Sequence, residues 1–182
     1  MIQDIWPKHL DNQYRNILPQ DDDTVFYFQA SSLLAKPVNE SVEPTEENAL
    51  IYPRYDEFIR GINASYGEQA VDKFEFIYLL SVDNEHFFLA KYKGNPEQGV
   101  YLGELADSEV HNEMHSFVEG YEFIGVNSFR KAMPREHAFA AITAFHLYGW
   151  YRDNCFCGRC GKTMRHDDKQ RMMRCDSCQN IV

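Results

Sequence analysis

Two pairs of cysteines near the end of the chain constrain its fold more than any other feature. Each pair has the spacing C-x2-C, and fourteen residues separate the two pairs. Two residues between cysteines allow one tight turn to direct both sulfurs at a single ion, and two such turns complete a tetrahedron. The spacing therefore predicts a four-cysteine zinc ribbon. Its predicted ligands are Cys157, Cys160, Cys175 and Cys178.

The predicted ligand set also indicates what the ion does. Four thiolates close all positions around zinc, whereas a catalytic zinc keeps one position open for water. We therefore predict a structural Zn²⁺. Zinc binding in such small modules contributes about 10–16 kcal/mol at neutral pH. We expect its removal to unfold residues 155–182, which have little core of their own.

A fifth cysteine, Cys155, and a nearby histidine, His166, complete the set of candidate ligands. The C-x-C spacing from Cys155 to Cys157 is too short for the usual two-sulfur turn. We interpret Cys155 as a thiol that does not bind the ion, with ligand exchange and oxidation sensing as the alternatives. All five cysteines lie within residues 155–178. This clustering favours a metal site over a disulfide scaffold, which spreads its cysteines through the chain.

The remainder of the chain has the composition of a globular domain. Hydrophobic residues make up 44% of the chain and aromatic residues 14%, which supplies an interior without disulfides. The length of 182 residues suits one domain with a small appendage. We predict an α/β domain over residues 1–133, a linker helix over 134–153 and the zinc ribbon over 154–182.

Local patterns predict an α+β fold with a mixed, largely antiparallel sheet. The hairpin of residues 75–82 and 85–92, joined by Asp83-Asn84, has the strongest signal. Further strands are predicted at 24–30, 100–105 and 121–126, helices at 55–66, 108–118 and 135–152, and a solvated connection at 36–48.

Charge and hydropathy limit the partners. The net charge is −10, but residues 155–182 carry +3, so residues 1–154 carry −13. Four thiolates with Zn²⁺ would add −2 to the tail, so its basic residues largely offset its own thiolates. No apolar run approaches the roughly 20 residues of a membrane helix, and the N-terminus has no signal-peptide design. We predict a cytoplasmic protein with no membrane partner.

The approach to the first cysteine pair resembles a known family. In residues 141–161, an Ala-rich helix ends in Trp150 and Arg152 and runs into Phe156-Cys-Gly-Arg-Cys-Gly161. This segment resembles the NADH pyrophosphatase family of Nudix hydrolases, and the match is specific over residues 138–178. The region before it has a suitable length for that family's Nudix-like, non-catalytic N-terminal domain. One departure is Gln179, where many relatives have glycine.

The resemblance implies an activity, cofactors and partners. Full-length relatives hydrolyse the pyrophosphate of NADH or NAD⁺, and in some cases NAD-capped RNA, as dimers that need Mg²⁺ or Mn²⁺. It therefore implies a homodimer and a nucleotide ligand similar to NAD(H). In those relatives the catalytic Nudix domain follows the ribbon, whereas this sequence stops at Val182.

The catalytic Nudix box, G-x5-E-x7-R-E-U-x-E-E-x-G-U, is missing from these 182 residues. Gly103 and Glu109 have its first spacing, but Phe117-Val118 stand where Arg-Glu is required. The single Arg-Glu pair, at 135–136, is followed by Phe and Ala at 139–140 in place of the two glutamates. Without the carboxylates that hold divalent cations, we predict no catalytic residues. Mg²⁺ or Mn²⁺ would matter only with a catalytic domain supplied elsewhere.

Two functional hypotheses follow. The first is a zinc-binding, non-catalytic N-terminal portion of an NADH pyrophosphatase-like hydrolase, with a structural, dimerising or nucleotide-binding role. The alternative is a zinc-ribbon module that binds nucleic acid or protein, although the charge balance makes nucleic acid the weaker reading. Its candidate contacts are Arg159, Lys162, Arg165, Lys169, Arg171 and Arg174.

Overall fold

The structure, a computed structural model, describes residues 5–38, 48–93 and 116–182. Within these ranges it has an α+β architecture with two mixed sheets, a small hairpin and two α-helices. The strands are β1 Leu10–Asp11, β2 Thr24–Phe26, β3 Phe28–Gln29, β4 Ser32–Pro37, β5 Asn48–Ile51, β6 Phe74–Val82, β7 Glu85–Tyr92, β8 Glu122–Gly125, β9 Ala132–Met133, β10 Arg165–His166 and β11 Met173–Arg174. The α-helices are α1 Tyr55–Tyr66 and α2 Arg135–Asp153, and 3-10 turns span Glu68–Lys73 and Val126–Lys131.

The predicted hairpin is confirmed and forms the centre of the first sheet. β6 and β7 pair antiparallel, and Asp83 in the turn adopts a φ of 53°. This conformation suits the Asp-Asn turn because these residues tolerate positive φ. β1 joins β6 antiparallel and β2 joins β7 parallel, so the strand order is β1-β6-β7-β2.

The prediction of one strand over residues 24–30 is wrong, because the chain changes sheets at Tyr27. β2 belongs to the first sheet, whereas β3 pairs with β4 in the second. Residues 24–28 are all buried, so the hydrophobic pattern has no polar position that would mark the change. The second sheet has the order β3-β4-β5-β9, and β8 also pairs with β4.

The predicted connection over residues 36–48 is too long at both ends. Lys36 and Pro37 close β4 by pairing with Ile51 and Leu50 of β5. The glutamates of that stretch lie outside the described residues, as do the predicted strand 100–105 and nearly all of the predicted helix 108–118. The predicted strand 121–126 is confirmed as β8.

Both predicted helices that fall within the described residues are confirmed. α1 has the predicted bounds, and α2 extends one residue further than predicted. α2 packs on β6, β7 and β9 through a face of small side chains, and Ala138, Ala141 and Ala144 are almost fully buried. Since alanine allows close approach, this helix packs closely on strands of both sheets, and it leads the chain to Cys157.

No helix among the described residues is both long and apolar enough to span a membrane.

A polar cluster joins the first sheet to both α-helices. Glu85, the first residue of β7, accepts hydrogen bonds from Arg54, just before α1, at 2.9 Å and from His137, in the first turn of α2, at 2.7 Å. Partial burial on its own would raise the pKa of Glu85. The hydrogen bond from His137 and the positive charges of His137 and Arg54 outweigh burial and hold that pKa at about 2.

We therefore expect Glu85→Gln to lower the free energy of unfolding at pH 7 by about 1–3 kcal/mol, because two charge-assisted hydrogen bonds are lost. A lowered carboxyl pKa stabilises the fold fully above its ordinary value of 4.5, and this stability is lost as the pH falls towards 2. Denaturant titrations between pH 7 and pH 2 should show a shallower pH dependence for the variant. The exposed Glu122→Gln is the control, and an unchanged profile for Glu85→Gln would contradict the assignment.

Candidate metal centre

The first cysteine pair lies in a tight loop directly after α2. Asn154 caps the C-terminus of the helix, and its backbone and side-chain nitrogens both donate to the Trp150 carbonyl. In the loop, the Gly161 N–H donates to the Cys157 carbonyl at 2.8 Å, and the Cys157 N–H donates to the Lys162 carbonyl at 2.7 Å. Gly161 has a φ of 71°, a conformation that glycine adopts without cost.

The second pair lies in a loop with the same hydrogen bonds. The Gln179 N–H donates to the Cys175 carbonyl, and the Cys175 N–H donates to the Asn180 carbonyl, both at 2.9 Å. Gln179 therefore takes the place of Gly161, and its φ is 60°. The departure noted in the sequence thus puts a residue with a Cβ atom in the left-handed region.

The two loops bring the four predicted cysteines together. All four sulfurs lie within 4.8 Å of one another. The Sγ atoms of Cys157 and Cys178 are 3.6 Å apart, and those of Cys160 and Cys175 are 3.5 Å apart. A tetrahedron with Zn–S bonds of about 2.3 Å separates its sulfurs by about 3.8 Å. The sulfur spacing therefore fits a structural zinc held by these four residues, with no ligand position left for water.

The pKa values of the cysteine thiols also favour a cation at this site. Burial raises the pKa of Cys157, but the backbone N–H groups of Arg159 and Cys160 outweigh it and lower that pKa to about 6. At Cys178, the Asn180 N–H lowers the pKa, but burial and the neighbouring thiols outweigh it and raise that pKa to about 12. A thiolate on one of these sulfurs thus disfavours a second thiolate beside it. A divalent cation among them removes this conflict, since it deprotonates its coordinating thiols.

The spacer between the pairs forms a hairpin. β10 and β11 pair antiparallel, and Asp167 lies at the turn between them. Its Oδ1 accepts the N–H groups of Lys169 and Gln170 at 2.9 and 3.0 Å, and its Oδ2 lies 3.3 Å from the Arg174 guanidinium. Asp167 thereby stabilises the turn of the hairpin.

The other two candidate ligands lie outside this group. The ring nitrogens of His166 lie 3.0 Å from the Tyr151 hydroxyl and 3.4 Å from the Tyr14 hydroxyl. Cys155 is half-buried, and burial raises the pKa of its thiol. Among the described residues, the four cysteines form the only group of three or more His, Cys, Asp or Glu side chains placed to hold a metal ion.

Sequence reasoning missed the residues that fix the ribbon to the rest of the protein. Tyr14 contacts His166 across 152 positions of sequence, and Arg171 donates to the Leu79 carbonyl across 92 positions. No spacing rule connects residues so far apart. Tyr151 is the exception, because its place at the end of the predicted linker helix gives it a local signal, and its side chain is 1% exposed and packed in the core.

Comparison with known families agrees with this geometry. Residues 152–182 match the family model of the NADH pyrophosphatase zinc ribbon domain. This match shows that the ribbon is similar to the zinc ribbons of NADH pyrophosphatases, and it supports zinc binding by these residues. No curated protein matches the chain.

We expect substitutions at the left-handed residues of the two loops to have opposite effects on the stability of the ribbon. Gln179→Gly should raise the stability of the ribbon by about 0.5–1 kcal/mol, because it removes a strained φ at some cost in unfolded-chain entropy. Gly161→Gln should lower it by about 1–2 kcal/mol. Competition with a chromogenic chelator would report both as changes in zinc affinity, since folding and binding are coupled.

Gly158→Ala is the control for that pair, because Gly158 has no positive φ and a Cβ atom there would meet nothing within 4 Å. A loss of affinity in Gln179→Gly, or no loss in Gly161→Gln, would contradict the proposed equivalence of the loops.

We expect Cys175→Ser to abolish stoichiometric zinc binding, because hydroxyl oxygen is a poor ligand for zinc in a thiolate site. Cys155→Ser should retain one zinc per chain, since Cys155 lies outside the group of four. Elemental analysis of protein purified without added metal measures both. Loss of zinc in Cys155→Ser with retention in Cys175→Ser would overturn the ligand assignment.

Proposed function

We propose that these residues form a zinc-stabilised, non-catalytic portion of an NADH pyrophosphatase-like Nudix hydrolase, and that their role there is structural. The observation that carries the proposal is the match of residues 152–182 to the zinc ribbon of NADH pyrophosphatases, on four sulfurs with the spacing of a closed zinc site. A closed thiolate site holds chain segments together and leaves no position for substrate.

The absence of the catalytic box supports the non-catalytic part of the proposal. The box requires a helix that presents several carboxylates to divalent cations. The Arg135-Glu136 pair does lie at the start of α2, but the following positions hold Phe139 and Ala140. Ala140 is fully buried, so that position is part of the packed core.

The described clefts favour a structural role over nucleotide binding. A cleft of about 450 Å³ beside the β6–β7 turn contains the cations Lys8 and Arg54, but acidic side chains outnumber them. A second cleft of about 530 Å³ along α1 pairs Lys36 and Arg60 with two glutamates. A pyrophosphate carries negative charge and would be repelled by the first lining and attracted only weakly by the second.

The hydrogen bonds and ion pairs of the ribbon's arginines weaken the alternative that the ribbon binds nucleic acid. Arg165 pairs with Asp176 at 2.9 Å and Arg174 with Asp167 at 3.3 Å, while Arg171 donates to a backbone carbonyl. Three of the six candidate cations thus already have partners within the chain. The homodimer is a proposal that rests on the resemblance alone.

We expect purified protein of these 182 residues, with Mg²⁺ or Mn²⁺, to release no AMP from NADH above a buffer control. The reason is the missing set of metal-binding carboxylates. Chromatographic detection of AMP measures it, and a preparation of Cys175→Ser purified in parallel controls for contaminating hydrolases. Metal-dependent turnover that follows the protein through purification and is absent from the control preparation would refute the proposal.

A further inference from the structure

The ribbon shares a hydrophobic core with the rest of the protein. Two of the four ligands, Cys157 and Cys175, are almost fully buried in the same cluster as Tyr151 of α2 and Leu79 of β6. Met164 and Met173, on either side of the ribbon hairpin, belong to that cluster as well. The ribbon is therefore packed against the first sheet, although its strands are only two residues long.

A β-bulge in β6 provides the first polar attachment. Tyr78 pairs with Phe88 and Leu80 pairs with Phe87, so Leu79 is an extra residue with no opposite partner. A bulge interrupts the regular ladder at such a residue. The Leu79 carbonyl accepts a hydrogen bond from the guanidinium of Arg171, which lies in the ribbon hairpin. The ribbon thus satisfies a backbone group at the irregular point of the central strand.

A histidine between two tyrosines provides the second attachment. The His166 ring lies 5.1 Å from the Tyr14 ring and 5.3 Å from the Tyr151 ring, measured between centroids. Both hydroxyls contact its nitrogens, and the Lys91 ammonium, 3.0 Å from Glu75, lies over the Tyr151 ring. His166 therefore connects the N-terminal segment, residues 5–18, to the end of α2.

We propose that the ribbon is a metal-dependent latch for the first sheet. The ion holds the two loops, the loops hold the hairpin, and the hairpin places Arg171 on the bulge and His166 between the tyrosines. Loss of the ion then loosens β6 and the N-terminal segment together with the ribbon. Because this coupling is reciprocal, the contacts between the hairpin and the first sheet also raise the affinity of the ribbon for zinc. The inference rests on zinc binding by the four cysteines and does not require kinship with a hydrolase.

Hydrogen–deuterium exchange of the whole chain tests the latch. When a chelator removes zinc from the loaded protein, exchange should become faster in the peptides around Tyr14 and Leu79 as well as in the ribbon. Arg171→Ala, still loaded with zinc, should speed exchange around Leu79 and Tyr14 by about ten- to a hundredfold, because it leaves a buried carbonyl without its charged donor. It should also weaken zinc binding by a factor of the same order, by linkage.

The matched control is Lys169→Ala, which removes a positive charge from the same hairpin at an exposed position. It should leave exchange and zinc affinity unchanged. Tyr14→Phe, which removes one hydroxyl from His166 without leaving a cavity, should speed exchange in residues 5–18 and keep one zinc per chain. It provides the test should Arg171→Ala fail to fold.

Exchange that rises only in the ribbon on chelation would overturn the latch, as would an Arg171→Ala or Tyr14→Phe protein that exchanges like the Lys169→Ala protein. Neither result depends on NADH, so failure of the latch and failure of the proposed function can be told apart.

Discussion

Repulsion among four sulfurs is the constraint on which the C-terminal part of this protein depends. The described sulfurs lie within 4.8 Å of one another, a separation at which four thiolates need a cation between them. The surrounding backbone is arranged for that ion, because each loop closes on a left-handed residue, Gly161 in one and Gln179 in the other. A bound metal would thus supply the stability that the two-residue strands of the ribbon cannot provide.

The ion's influence extends into the protein through α2 and β6. α2 packs on both sheets through its buried alanines and ends four residues before Cys157. The hairpin between the cysteine pairs reaches back to the bulge at Leu79. Because two ligands are packed in the core shared with these elements, metal binding and the packing of the sheet belong to one cooperative structure. A structural role for a zinc ion bound there follows from this arrangement, since a closed four-thiolate site leaves no position for substrate.

The sequence predicts the local elements of this structure but not the contacts between distant parts of the chain, and the difference has a physical cause. Local signals sufficed for α1, α2, the β6–β7 hairpin and the cysteine loops, because periodicity, turn residues and ligand spacing act over a few residues. The switch between sheets at Tyr27 left no trace, since its neighbours are buried in both sheets. β4 and β5 were missed where Lys36 and Pro37 resemble a loop, and the attachments of Arg171 and His166 depend on contacts between distant parts of the chain.

X-ray absorption at the zinc edge tests the central claim most directly. Protein purified without added metal should contain one zinc per chain, with a first coordination shell of four sulfurs at about 2.3 Å and no oxygen or nitrogen. A shell that includes lighter atoms, or a protein that purifies folded without zinc, would contradict the closed four-cysteine site and the structural role built on it.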